Sequence, residues 1–377
     1  MTSMTIATVD VPPLSDAARA AIDTPALIID IDRMDAAIAR MAGAMIERGV
    51  ALRPHAKTHK SLAVARRQID AGAAGLTVGT IGEAEVFADG GFDDLFLAYP
   101  LVPLGPKAAR LRALVTRTGL RIGVDSETGV RAIADALGPE RDRAGVVIEV
   151  DSGGRRSGVE LDRVGVIARA ASDAGLTVRG VFTYAGHAYF DSAAHVEAGN
   201  DEVRTLTEAA STLRALGIEP EVVSAGSTPT AIDSAHGIVT EERPGTYVFG
   251  DRQQVALGSI ARDAPAGFVA TRVTSVNATE RRFVVDAGGK MLGKDVADYM
   301  TGHGEIPELD GAIIARLSDY HGTADVPAGS RLPEVGQVVL AVPNHICPVV
   351  DHVSAFLVVR DGEIVDTWPV DARGRNG

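Results

Sequence analysis

The sequence predicts an α/β protein, a (β/α)8 TIM-type barrel followed by a smaller all-β domain. Three observations carry this expectation. Eight short β-type segments alternate with Ala-, Leu-, Arg- and Glu-rich helical stretches between residues 51 and 250, the pattern of a parallel sheet with helical crossovers. Beyond about residue 252 the texture changes to β-type runs broken by Gly and Asp, with little helix. The chain has 377 residues, enough for one barrel-sized domain and a second, smaller one. A doubly wound open sheet is the competing arrangement for the first region.

Taken in order, residues 1–23 read as an irregular arm packed on the β-rich domain. "TPALIIDID" (24–32) is a strand by its β-branched content. Met34, Ile38, Met41 and Met45 then fall on one face of a helix that Gly49 ends. The eight barrel strands are placed at 51–58, 75–81, 94–100, 121–126, 145–151, 177–184, 221–226 and 245–250. "GFVATRVTSVNA", "RRFVVDAGG", "VGQVVLAVPNHICP" and "SAFLVVRDGEIVDTWPV" are the strands of the second domain. The expected division is a barrel over 24–252 and a β-rich domain over 253–377.

Composition narrows the function. A net charge of −13 leaves no basic stripe for nucleic acid and disfavours an anionic membrane surface. No apolar run approaches the roughly 20 residues of a membrane span. The single cysteine, Cys347, precludes an intrachain disulfide, and the first residues lack the pattern of a signal peptide. These features point to a cytoplasmic protein.

"ALRPHAKTHK" (51–60) concentrates nitrogen bases. In a strand, Arg53, His55, Lys57 and His59 share one face, and Leu52, Pro54, Ala56 and Thr58 the other. The polar set then points into the barrel, and Lys60, of opposite parity, starts the next helix. An enclosed amine among cationic neighbours has its pKa pushed down, as Schiff-base chemistry requires. An internal ion-pair network and a phosphate-binding cluster are the alternatives. The seventh barrel strand runs into "SAGSTPT", where Gly226, Ser227 and Thr228 offer backbone N–H groups and hydroxyls for an anion. Tyr247, in "ERPGTY", could add a phenolic hydrogen bond or simply be a wall aromatic. An internal amine plus a phosphate cradle suggests pyridoxal phosphate.

These residues, with "EVDSGGRRSGV" (149–159), "YAGHAY" (184–189) and "PNHICP", resemble the fold-type III pyridoxal-phosphate enzymes, the alanine racemase-like barrels. Within them the chain resembles the D-threonine aldolase and D-serine dehydratase branch. The resemblance implies that Lys57 carries the cofactor covalently, that Arg156 lies near its 3-hydroxyl, and that Tyr184 borders its ring. It leaves the partner of the ring nitrogen open between Arg243 and Glu241. It implies a divalent metal (Zn, Mn, Mg or Co) on His345 and Cys347, two residues apart in an extended segment, gripping the β-hydroxyl of a small β-hydroxy-D-amino acid. A head-to-tail homodimer is implied as well.

The activity expected first is retro-aldol cleavage to glycine and an aldehyde, with His59 or His187 as the base. The alternative is β-elimination to a 2-oxo acid and ammonia, which the His-x-Cys pair favours within the branch. An amino-acid racemase, with a second base from Tyr299, Tyr320 or His321, would leave the metal motif idle. A non-catalytic pyridoxal-phosphate carrier would leave the β domain idle.

Overall fold

The computed structural model describes residues 8–191 and 193–377. It contains an eight-stranded parallel sheet and a separate nine-stranded, mostly antiparallel sheet. The expected fold class is the observed one.

The strands are numbered along the chain. β1 is Ala26–Asp30, and the parallel sheet holds β2 (Ala51–Leu52), β3 (Leu76–Val78), β4 (Asp94–Pro100), β5 (Gly119–Val124), β6 (Ala144–Glu149), β7 (Thr177–Phe182), β8 (Val222–Ala225) and β9 (Glu241–Glu242). Its order is β2-β9-β8-β7-β6-β5-β4-β3. A parallel bridge between His55 and Thr77, with Thr77 N–H donating to Pro54 O at 2.9 Å, joins the two ends and closes the barrel. The central strands β4 to β7 carry near-continuous buried runs, as strands covered on both faces must.

Two barrel strands depart from the expectation. β2 is only Ala51–Leu52, and the chain then turns into a 3-10 helix at Ala56–Thr58. β9 is Glu241–Glu242, while Thr246–Val248, inside the expected strand 245–250, is a 3-10 helix. Pro54 and Pro244 lack the N–H that a longer ladder needs.

The nine-stranded sheet has the order β11-β14-β13-β12-β15-β10-β1-β16-β17. Its later members are β10 (Gly267–Asn277), β11 (Arg282–Val285), β12 (Gly304–Ile306), β13 (Ala312–Leu317), β14 (Gly322–Asp325), β15 (Val338–Pro343), β16 (Ala355–Arg360) and β17 (Glu363–Pro369). β1 pairs antiparallel with β10, Ile28 opposite Phe268, and parallel with β16. Thus the strand at 24–32 exists but lies in the β sheet, not in the barrel. Its Ile28 joins Phe268, Leu340 and Val342 in one buried cluster that also takes in Val9, Leu14 and Ile22 of the N-terminal arm. The described part of that arm is not wholly irregular: Asp16–Ala21 is a helix capped by Ser15. The segment 1–7 of the expected arm lies outside the described residues.

The chain separates into two compact units, one of residues 1–39, 58–63 and 246–373, the other of residues 40–57, 64–245 and 374–377. The first contains the nine-stranded sheet and the second the barrel. This division places β1, residues 58–63 and residues 246–252 with the β unit. Among the described residues no helix is long and apolar enough to cross a membrane.

Candidate active site

In the barrel unit the segments that follow the strand C-termini surround an open cleft of ≈ 430 Å³ lined by His55, Lys57, Tyr99, Asp125, Arg156 and Ser157 among others. That is the end at which barrels of this kind carry their chemistry. Lys57 is exposed in this cleft, and its Nζ lies 5.8 Å from the centroid of the Tyr184 ring. The Arg156 guanidinium lies 4.8 Å from the same centroid. Lys57, Arg156 and Tyr184, named from three separate motifs, therefore meet at one ring. His55 Nδ1 accepts the Lys57 backbone N–H at 3.3 Å, which braces the lysine-bearing turn.

A smaller cavity of ≈ 100 Å³ adjoins Arg156 and Tyr184 and is lined also by Glu149, Val150, Gly186 and Phe190. Glu149 is buried, and burial pushes its carboxyl up from the usual range, against the pull of Ser157 and Arg156. The neighbouring loop is held by Asp151, whose Oδ1 accepts the N–H groups of Gly153 (2.9 Å) and Arg155 (3.0 Å). Arg155 and Arg156 are both exposed.

The phosphate candidates Gly226, Ser227 and Thr228 follow β8 and are buried. Gly226 adopts φ +90°, and a Cβ there would lie 1.7 Å from Glu242 Oε2, so both conformation and space demand glycine. Gly226 N–H donates to Glu202 Oε1 (3.1 Å), and Ser227 N–H to Thr230 Oγ1 (3.0 Å). The turn is thus built and braced, although those two N–H groups already have acceptors. The Ser227 hydroxyl also meets Thr230 Oγ1 at 3.0 Å.

Arg243 and Glu241 have different surroundings. Glu241 is fully engaged: Oε2 accepts from Arg53 Nε (2.8 Å) and Arg121 Nη1 (3.1 Å), and Oε1 from Ser224 Oγ (2.9 Å). Burial raises its pKa, but the two arginines outweigh it and hold the carboxyl below the usual range. Arg243, next along the chain, donates to Ser224 Oγ (3.0 Å), Ala225 O (3.3 Å) and Thr183 O at the ends of β7 and β8. Its guanidinium also lies 5.3 Å from the Phe182 ring centroid. Both bond Ser224 Oγ, and of the two Arg243 also reaches the Ala225 and Thr183 carbonyls.

Several expected placements are corrected. His59 is fully buried, its Nδ1 takes the Ser61 N–H at 3.1 Å, and its ring packs edge-on to Phe249. The strand ends at Leu52, so the alternation that placed His59 beside Lys57 no longer applies, and His59 falls in the β unit. Lys60 does not start a helix. It adopts φ 49° and donates to Asp351 at 2.7 Å. His187 has both ring nitrogens buried and lies against Gly153, 3.6 Å from Asp201, so it backs the 151–158 loop and does not line the cleft. Tyr247 is buried, in the β unit.

In the β unit, His345 is the N-cap of helix Ile346–His352 and Cys347 lies in its first turn, not in an extended segment. The two still interact. Burial works against an imidazolium at His345, yet Cys347, Asp251 and Asp295 outweigh it and raise the pKa to about 10. Asp295 Oδ2 meets His345 Nδ1 at 2.8 Å, the arrangement that orients a metal-ligating imidazole and leaves Nε2 for the ion. Among the described residues no group of three or more His, Cys, Asp or Glu side chains is placed to hold a metal. An imidazole and a thiol are donor types that would suit a borderline divalent ion with positions left open.

Sequence reasoning passed over Tyr99, Asp125, Glu149 and Asp295. The first two sit at or just beyond the C-termini of β4 and β5, where the barrel rule could have found them. Nothing in the sequence linked Asp295 to His345, 50 residues away.

Comparison with known proteins decides the family. The model of the alanine racemase N-terminal domain matches residues 29–253, and that of a serine dehydratase domain matches residues 266–359. The chain belongs to the fold-type III pyridoxal-phosphate enzymes. It is a lyase of that family. The sequence is 36% identical over 373 residues to D-threo-3-hydroxyaspartate dehydratase of Delftia sp. (strain HT23), covering 92% of this chain and 97% of that one. It is 31% identical over 366 residues to D-threonine aldolase of an Arthrobacter species, covering 94% of each. The solved structure of the Delftia dehydratase superposes with a TM-score of 0.87, over 93% of this chain and 98% of that one. In that dehydratase a histidine and a cysteine two positions apart have each been replaced by alanine, the cysteine variant being solved in a metal-free form. Pyridoxal phosphate and a divalent metal are the cofactors of this group.

Proposed function

We propose that this enzyme is a pyridoxal-phosphate- and divalent-metal-dependent lyase of small β-hydroxy-D-amino acids, and that it catalyses β-elimination to a 2-oxo acid and ammonia. One observation carries the choice of reaction. His345 and Cys347 stand two residues apart and interact, the same pair of residue types, at the same spacing, that was replaced in the Delftia dehydratase. Retro-aldol cleavage to glycine and an aldehyde, expected first from the sequence, is the second reading. It is favoured by the D-threonine aldolase of Arthrobacter and by 3-hydroxy-D-aspartate aldolase of Paracoccus denitrificans (strain Pd 1222), each 31% identical across nearly the whole chain.

When bound, the cofactor supplies an electron sink for charge at Cα, and the metal supplies Lewis acidity toward the β-hydroxyl. The chain's own residues supply the rest. Lys57 would hold the cofactor, and its amine would take the Cα proton. Tyr184 and Arg156 confine the cleft beside it. Ser227 and Thr228 hold the phosphate with their hydroxyls. Arg243 would face the ring nitrogen and, as a cation, would keep it unprotonated. His345 and Cys347 would hold the metal, and Asp295, bonded to His345 Nδ1, would fix the imidazole tautomer. The acidic chain with its one cysteine suits the cytoplasm.

The test is product analysis. With D-threonine, D-serine and D-threo-3-hydroxyaspartate, this reading expects 2-oxo acid and ammonia in equal amounts. Glycine plus an aldehyde would replace it with the aldolase reading. Chelation should abolish turnover, and added divalent metal should restore it in the wild type but not in Cys347→Ala.

A further inference from the structure

Two carboxyl groups that the reaction does not use lie beneath the Gly226 turn. Glu202 comes from helix Ala194–Ala215 and Glu242 from β9, and both are fully buried. They meet at one residue. Glu202 Oε1 accepts the Gly226 N–H at 3.1 Å, and Glu242 Oε2 sits 1.7 Å from where a Gly226 Cβ would be. Glu202 Oε1 also accepts the Ala185 N–H at 3.2 Å, and Glu242 Oε1 accepts from Ser234 Oγ at 2.9 Å. The second oxygen of each group, Oε2, has no hydrogen-bond donor among the described residues.

Two ionised carboxylates cannot share such a place. Both charges would be desolvated, each would repel the other, and two buried oxygens would remain without donors. Two neutral acids fit no better. Glu202 accepts two backbone N–H bonds, which favour its charged form. Arg243 faces the pair, and its own hydrogen bonds all go to neutral oxygens: Thr183 O, Ser224 Oγ and Ala225 O. Glu241, the other charged group facing Glu242, is already paired with Arg53 and Arg121. Arg243 itself faces Glu241 and Glu149 as well as the pair. With both acids of the pair neutral, the guanidinium would be left with Glu241, already shared by two other arginines, and with Glu149, whose carboxyl burial pushes up.

We propose that Glu202 and Glu242 hold a single proton between them, and that the one negative charge left on the pair is the counter-charge of Arg243. Burial pushes both carboxyls up, Glu242 the further. Glu202, which accepts the Ala185 and Gly226 N–H groups, keeps the charge, and the proton sits on Glu242. The pair thereby ties together the loops that follow β7 and β8, at Ala185 and Gly226, and keeps the arginine between them cationic. The role of Arg243 toward the cofactor rests on the function proposed above; the shared proton does not.

The first test is independent of that function. The infrared difference spectrum of the full-length holoenzyme against Glu242→Gln should show one carboxylic-acid C=O band lost from the wild type at neutral pH. Glu202→Gln should lose the same band, because the surviving glutamate then takes the charge. A spectrum in which neither substitution removes an acid band overturns the proposal. The second test titrates each protein with pyridoxal phosphate and follows the bound-cofactor absorbance. Each single glutamine variant keeps one negative charge and one donor, so its Kd should stay within about threefold of wild type. The double variant leaves Arg243 with only the Glu241 charge that Arg53 and Arg121 already share and with the buried Glu149, and should weaken binding by roughly a hundredfold. Single variants as weak as the double would overturn the charge-balance role. A wild type that binds no cofactor would instead overturn the functional reading and leave the infrared result standing.

Discussion

Glu241 and Glu242 are neighbours on one two-residue strand, yet the barrel sends them to opposite regions. Strand alternation turns Glu241 inward, among Arg53, Arg121 and Ser224, and Glu242 outward, toward Ser234 and Glu202. Both are fully buried. The first carboxyl is held below its usual range by two guanidinium groups, and the second is pushed well above it by burial and a like charge. Burial is common to both, so the partners decide the charge. A glutamate read from the sequence as merely buried could take either state.

The comparison can be broken most severely at its inner half. Arg53 donates to both Glu241 (2.8 Å) and Asp94 (2.8 Å), so Arg53→Ala should cost about 3–5 kcal/mol of stability by leaving buried charge under-compensated. Denaturant unfolding checks it. A loss below about 1 kcal/mol would mean that Arg121 alone suffices. A smaller effect is expected on the outer side. Gly226→Ala forces a Cβ onto Glu242 Oε2 at φ +90°, strain of about 1–3 kcal/mol, and should raise the cofactor Kd on the order of tenfold to a hundredfold.

The pH dependence of stability should separate the two carboxyls by sign. Glu241, depressed in the folded chain, contributes stability that is present above the unfolded value near ~4.3 and is lost as pH falls. Glu242, raised in the folded chain, binds a proton that the unfolded chain releases above that value, so its contribution falls as pH rises. Melting temperatures should therefore fall more for wild type than for Glu242→Gln between about pH 5 and about pH 8. Parallel curves would place no titrating difference at this residue.

Much of the fold was legible because burial on both faces leaves long apolar runs, as in β4 to β7, and because hairpins such as β16–β17 carry a Gly turn, here at Asp361–Gly362. The partner strands of a segment are not written in that segment. β1 reads equally well as a barrel strand or as the mate of β10 and β16. Alternation also needs a strand long enough to alternate. It separated Lys57 from Lys60 in the intended sense, one in the open cleft and the other paired with Asp351, but β2 ends at Leu52 and the rule misplaced His59. The expectation that Lys57 is enclosed among cations failed for the same reason, since its side chain is exposed. His345 and Cys347 were singled out through the family resemblance, while their local structure, a helix start, was hidden by the β-type run before them.

The account rests on Lys57 as the residue that carries the cofactor in the barrel cleft. Its most direct test is the visible absorbance of purified Lys57→Ala after incubation with pyridoxal phosphate, with circular dichroism to show that the variant is folded. The account expects a folded protein that has lost the bound-cofactor band of the wild type and all turnover of β-hydroxy-D-amino acids. A folded Lys57→Ala that keeps that band and that turnover would contradict it.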